Sequence, residues 1–167
     1  MLTMYYSRME SPIGPLVIGV SDQGLTLIEW DRGEFPESRL ARMAGWQESE
    51  ERTAAAKRQL REYFAGKRKA FDVKLDLHGT DFQKKCWHAL LKIPYGQTRT
   101  YAQIAKAVGN PRGFRAVGMA NHDNPVPIIV PCHRVLASGG TLGGYGGGLD
   151  VKRKLLELEG ALQPTLL

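Results

Sequence analysis

The sequence is poor in the features of exported or membrane-bound proteins. Its 167 residues include only two cysteines, Cys86 and Cys132, too few for a disulfide framework. Residues Met1 to Arg8 hold no signal-peptide core, and no charge-free run approaches the ~20 residues a bilayer demands. A soluble, intracellular (cytoplasmic) protein without membrane contact is expected. The four histidines, His78, His88, His122 and His133, show no metal-ligand spacing with each other or with the cysteines, so no metal is expected. Acidic residues are scarce in one half only. From Leu77 onward there are 5 Asp+Glu against 11 Lys+Arg, whereas the preceding residues carry 12 of each. The whole net charge of +6 therefore lies in the second half, which points to a polyanionic partner.

The length fits one domain or two small ones. Residues 1–77 read as a small α+β unit with a short antiparallel sheet. Turns at Ser11–Pro15 and Ser21–Gly24 flank the apolar run Leu16–Val20, and Leu25–Trp30 follows as its partner. Residues 32–48 are mixed and charged, expected as a loop with a short helical piece. A helix is predicted from about Glu50 to Ala65, stopped by Gly66. Phe71–Leu77 alternates apolar and polar residues and reads as a half-exposed strand.

Residues 78–167 are predicted to be mainly helical. Thr80 and Gln83 have the capping-box spacing ahead of an apolar stripe, Phe82, Cys86 and Leu90, which makes Cys86 a core residue. Thr100 caps a second helix, Tyr101–Val108. After the turn Gly109–Pro111 a third helix spans about Arg112 to Asn121, a helix-turn-helix spacing. Phe114, Val117 and Ala120 are assigned to the core, and Arg112, Arg115 and Met119 to the opposite face at i, i+3 and i+7. Gly113 and Gly118 thin the bulk around them, which suits approach to a nucleic-acid backbone. The closing helix is predicted over Asp150–Glu159.

Between these helices lies the segment Asn124–Val135. Its prolines forbid helix, Ile128–Val130 reads as a buried β-run, and Pro131 breaks it just before Cys132, His133 and Arg134. A thiol, an imidazole and a guanidinium delivered by an apolar run need partners. Seven glycines follow within Ala137–Gly148, matching neither phosphate-loop pattern, and either leave a floppy loop or let backbone N–H groups approach a flat ligand.

Pro-Cys132-His-Arg-Val, with Asn124-Pro125 eight residues before the cysteine, the helix-turn-helix bearing Arg115 and the Gly-Tyr-x-Gly-Gly loop occur in one order. Together they resemble the O6-alkylguanine-DNA alkyltransferases, over about Thr80 to Gly160. Residues 1–77 match that family's N-terminal domain in length and pattern only. The resemblance implies a supporting domain, 1–77, and a winged-helix-like DNA-binding and alkyl-transfer domain, 78–167. It implies DNA repair by direct reversal: one irreversible, stoichiometric transfer of the alkyl group from O6-alkylguanine, and from O4-alkylthymine, to Cys132. No cofactor is implied, and the partner is duplex DNA bound by a monomer.

The resemblance also implies roles for individual residues. His133 acts as base with Glu159 orienting it. Because neighbouring side chains of extended chain point apart, a water would bridge Cys132 and His133. Tyr101 would serve the leaving guanine, Arg115 would fill the space left by the flipped nucleotide, and Asn124 would fix the turn before the active-site strand. Arg112 and Met119 join Arg115 on the DNA face. The Val135 backbone with Tyr145, Gly146 and Gly147 would line the base pocket. Gly146 stands where some relatives carry Ser, and Cys86 where Val is usual. Three rivals compete. A cysteine hydrolase would use the same Cys-His-Glu set but has no need of a basic helix-turn-helix. A non-catalytic lesion sensor would replace the reactive cysteine. A transcription factor would need more base-reading side chains than two arginines beside glycines.

Overall fold

The structure, a computed structural model, describes residues 3–31 and 44–163. The chain divides into two compact units, Met1–Leu77 and His78–Leu167. The α+β class is the one expected.

In the first unit β1 (Met4–Met9), β2 (Leu16–Ser21), β3 (Gly24–Trp30) and β4 (Gln47–Glu48) form a sheet of order β3-β2-β1-β4. The β1-β2-β3 meander is antiparallel, and β4 joins β1 in parallel, so the sheet is mixed. The inner strand β2 is buried along its whole length, which is why its sequence is apolar up to Ser21. Helix α1 (Glu50–Phe64), capped by Ser49, packs on β1 and β2 through Ala56, Leu60 and Tyr63. Most of the loop predicted for residues 32–48 lies outside the described residues; β4 at its end was not expected.

The predicted strand Phe71–Leu77 is absent. Only Leu75 makes a bridge, to Leu25, and the Asp72 backbone is claimed by a side chain instead. Gln59 on α1 accepts from Asp72 N at 2.8 Å and donates to Asp72 O at 3.2 Å. Alternation predicted the exposure pattern, but a tertiary amide clamp took the hydrogen bonds that a ladder would need.

The second unit contains α2 (Asp81–Leu91), β5 (Arg99–Thr100), α3 (Tyr101–Ala107), α4 (Phe114–His122), β6 (Val135–Leu136) and α5 (Leu149–Leu158). Thr80–Gln83 and Thr100–Gln103 both form complete capping boxes. Trp87 of α2 is buried and donates from Nε1 to Ala120 O of α4 at 2.8 Å, tying the two helices together. Truncating such a side chain costs about 3–5 kcal/mol. Helices α3 and α4 pack as the helix-turn-helix, and Val117 and Ala120 face the core. Phe114 does not: it is 50% exposed. As the first residue of α4, behind Gly113, it lies beyond the last core turn rather than on it.

Ile128–Val130 is buried as expected but is a turn, not a strand. Val130 N donates to Val126 O at 3.0 Å, and Ile128 adopts φ 77°, a costly left-handed conformation for a β-branched residue. Asn124 holds the turn from inside. Its Oδ1 accepts from Val126 N at 3.0 Å and its Nδ2 donates to Val130 O at 2.8 Å. An amide side chain thus stands in for the neighbouring strand.

Candidate active site

The turn delivers Cys132, His133 and Arg134 as one turn of 3-10 helix. This corrects the extended geometry expected there. Cys132 lies on the wall of a cavity of about 540 Å³. Tyr101 from α3, Gly118, Met119, Asn121 and His122 from α4, and Gly144, Tyr145 and Gly146 from the glycine-rich loop complete its lining. All three sources are held to one place by the helix-turn-helix and by the parallel β5–β6 pair.

Behind Cys132 the polar groups are buried, and all but one ring nitrogen of His133 are matched. His133 is fully buried, and its Nε2 lies 2.7 Å from Glu159 Oε2. Glu159 also accepts from Arg134, Nε to Oε1 at 2.7 Å and Nη2 to Oε2 at 3.0 Å, while Arg134 Nη1 donates to Ile93 O at 2.7 Å. A carboxylate clamped by a bidentate guanidinium has only acceptor capacity toward the imidazole. The His133 proton therefore resides on Nε2, leaving the Nδ1 lone pair uncommitted: that atom is buried with no hydrogen-bond partner within the protein. Burial lowers the His133 pKa, against the opposing pull of Glu159, so the ring is neutral and can accept a proton.

Burial also pushes the Cys132 thiol up to about 11, while Asn124 and the Lys152 charge pull it down. The resting pair is a thiol beside a neutral imidazole, so the proton must leave during the reaction. Lys152 is fully buried, and desolvation lowers its pKa to about 8. Its Nζ donates to Val135 O at 2.6 Å, to Gly144 O at 3.2 Å and to Leu142 O. One ammonium thus anchors the glycine-rich loop to β6 and supplies positive charge toward Cys132. Tyr101 donates from its hydroxyl to Gly144 O at 3.5 Å, and burial followed by the nearby Cys132 raises its pKa, which keeps the phenol protonated.

Of the residues singled out from sequence, Cys132, Tyr101, Met119, Tyr145 and Gly146 line the cavity. His133, Glu159, Asn124 and Val135 stand behind it. Arg112, at the turn before α4, and Arg115, on α4, are exposed and lie outside the cavity lining; Gly147 also lies outside it but is buried. A side chain at Gly146 would meet nothing within 4 Å, so the glycine there is not demanded by space. Gly143 is demanded: its φ is +69° and a Cβ would press on the Tyr101 ring at 3.1 Å.

Sequence reasoning missed Lys152 and the buried clamp formed by Arg134. Lys152 had a signal, because it shares the apolar stripe of α5 with Leu155 and Leu156 at i+3 and i+4.

Comparison with known proteins settles the family. Residues 81–161 match the family model for the 6-O-methylguanine DNA methyltransferase DNA-binding domain, and residues 4–77 match that of the same enzyme's ribonuclease-like domain. The chain belongs to the 6-O-methylguanine DNA methyltransferase family. It is 52% identical over 162 residues to the methylated-DNA–protein-cysteine methyltransferase of Methanosarcina acetivorans, covering 95% of this chain and 99% of that one. The crystal structure of the Mycobacterium tuberculosis O6-methylguanine methyltransferase superposes with a TM-score of 0.86 at 47% identity, covering 97% of this chain and 96% of that chain. The M. tuberculosis protein OGT, crystallised in complex with DNA, gives 0.84 at 46% identity, covering 94% and 93%. Membership makes the chain a DNA-repair methyltransferase with a DNA-binding domain.

Proposed function

We propose that the protein removes the alkyl group from O6-alkylguanine in DNA, and from O4-alkylthymine, by transferring it once and irreversibly to Cys132. The observation that carries this reading is the thiol on the wall of a cavity with room for a purine base, backed by a neutral imidazole whose Nδ1 lone pair is uncommitted. The O6 atom lies inside the stacked duplex, so the nucleotide must be extruded to reach it. Arg115, exposed on α4, fills the space it leaves, and Arg112 contacts phosphate, with binding that weakens as salt rises.

In the cavity the Cys132 proton passes to His133 Nδ1, directly or through one water, as Sγ attacks the alkyl carbon. The S–C bond forms while the C–O6 bond breaks, and the electron pair returns to the guanine, which takes a proton from the Tyr101 hydroxyl; the proton that His133 then releases restores the phenol through solvent. Glu159, held by Arg134, keeps His133 in the reactive tautomer and stabilises the imidazolium. The product is a thioether, which has no carbonyl for water to attack. The chemistry therefore ends after one turnover, without a cofactor, which separates it from a cysteine hydrolase. The unit 78–167 carries the transfer and the unit 1–77 supports it. The protein acts as a monomer inside the cell, where both thiols stay reduced, and prefers duplex carrying the lesion.

The test is the fate of O6-methylguanine in a duplex. The native protein should restore guanine, and Cys132→Ala should leave every methyl in place while still binding. Methyl removal by the alanine variant would end the proposal, and tight binding by the native protein without removal would favour a lesion sensor.

A further inference from the structure

Resting on that reading, we infer that Phe114 is a second wedge, which enters the base stack beside Arg115 when the nucleotide is extruded. Four large apolar side chains are exposed among the described residues, and two of them, Phe114 (50%) and Met119 (59%), belong to the nine residues of α4. Met119 is accounted for, since it lines the cavity. Phe114 is not: a ring that helical periodicity assigns to the core stands half exposed.

Its place on the helix is informative. Residues at i, i+4 and i+7 share one row on a helix surface. Arg115, Met119 and His122 form one such row, and Phe114, Gly118 and Asn121 the next. The later members of both rows line the cavity. Phe114 and Arg115 are thus equivalent outposts, each at the N-terminal end of a row that leads to the site. Gly118 leaves open space on the phenylalanine row, because a Cβ there would meet nothing within 4 Å. The start of α4 is also fixed: a side chain at Gly113 would collide with Asn110.

Charge identifies what covers this ring. Residues 82–122 contain seven Lys and Arg and no Asp or Glu. An exposed aromatic ring between Arg112 and Arg115 on such a surface fits a polyanion with flat apolar faces, which is a base stack. Apolar side chains inserted between base steps are a general device for kinking and unstacking duplexes, and stacking on an aromatic ring tolerates any base.

The test compares the rate of Cys132 methylation by O6-methylguanine in a duplex and in a single-stranded tetranucleotide, which has no stack to open. Phe114→Ala should slow the duplex reaction about tenfold, within the range one stacked base supplies, and change the tetranucleotide reaction less than twofold. Phe114→Trp should restore the duplex rate. A 2-aminopurine placed beside the lesion should show less unstacking fluorescence with the alanine variant. A duplex rate for Phe114→Ala within twofold of native would overturn the wedge, as would an equal loss on both substrates, which marks a structural role. Methylation of Cys132 by the tetranucleotide reports the underlying transfer separately, so a failed wedge leaves that signal intact.

Discussion

Two thiols lie in the unit formed by residues 78–167, both buried and both shifted upward by desolvation, and they differ in what surrounds them. Cys86 sits on the apolar stripe of α2 between Phe82 and Leu90, with Lys85 the charge that bears on its titration. Cys132 sits on a cavity wall, with Asn124 and Lys152 favouring its thiolate and a neutral imidazole as the next residue. Burial alone makes a cysteine inert. On the proposed reading, what turns one of them into an alkyl acceptor is access from a cavity together with groups that take its proton and favour its charge.

Substitution gives the largest expected contrast. Cys132→Ala should abolish alkyl transfer, whereas Cys86→Val, close in volume, should retain it with less than about 1.5 kcal/mol lost in stability by denaturant titration. Equal losses from the two would erase the distinction. The second contrast is with pH. A thiol held at about 11 is thiolate in only about one molecule in ten thousand at pH 7. Alkylation of Cys132 by iodoacetamide in the absence of DNA should therefore rise about tenfold per pH unit from 7 to 10, because a raised acid pKa keeps the reactive form scarce until the pH nears it. A plateau at neutral pH would instead reveal a preformed thiolate–imidazolium pair. His133→Phe keeps the volume and removes the base, and should slow transfer about a hundredfold with lesion binding retained in a gel-shift assay. Lys152→Met should cost about tenfold in transfer and about 2–4 kcal/mol in stability, since three carbonyls lose their donor. An unchanged melting curve for that variant would contradict its anchoring role.

The same contrast explains what could be read from the chain. Local signals survived: the Thr80–Gln83 capping box, the Thr100 cap, the meander, the stripe that buries Cys86 and the spacing of the helix-turn-helix are fixed by neighbours in sequence. Most of the failures involve distant partners. Gln59 took the hydrogen bonds of residue 72, and Asn124 turned Ile128–Val130 away from a strand. Lys152 was hidden among the surface charges of α5 because its acceptors come from β6 and the glycine-rich loop. Phe114 obeyed helical periodicity, yet lay one turn beyond the core. At the site, the order of motifs named Cys132, His133 and Glu159, but only the fold showed Arg134 locking the glutamate.

The most direct test is intact-mass measurement and peptide mapping after the protein meets an excess of O6-methylguanine duplex. One added methyl is expected on every molecule, carried by the Cys132 peptide and absent from the Cys86 peptide, with repaired guanine equal in amount to protein. Repaired guanine exceeding protein, or a methyl on Cys86, would contradict it.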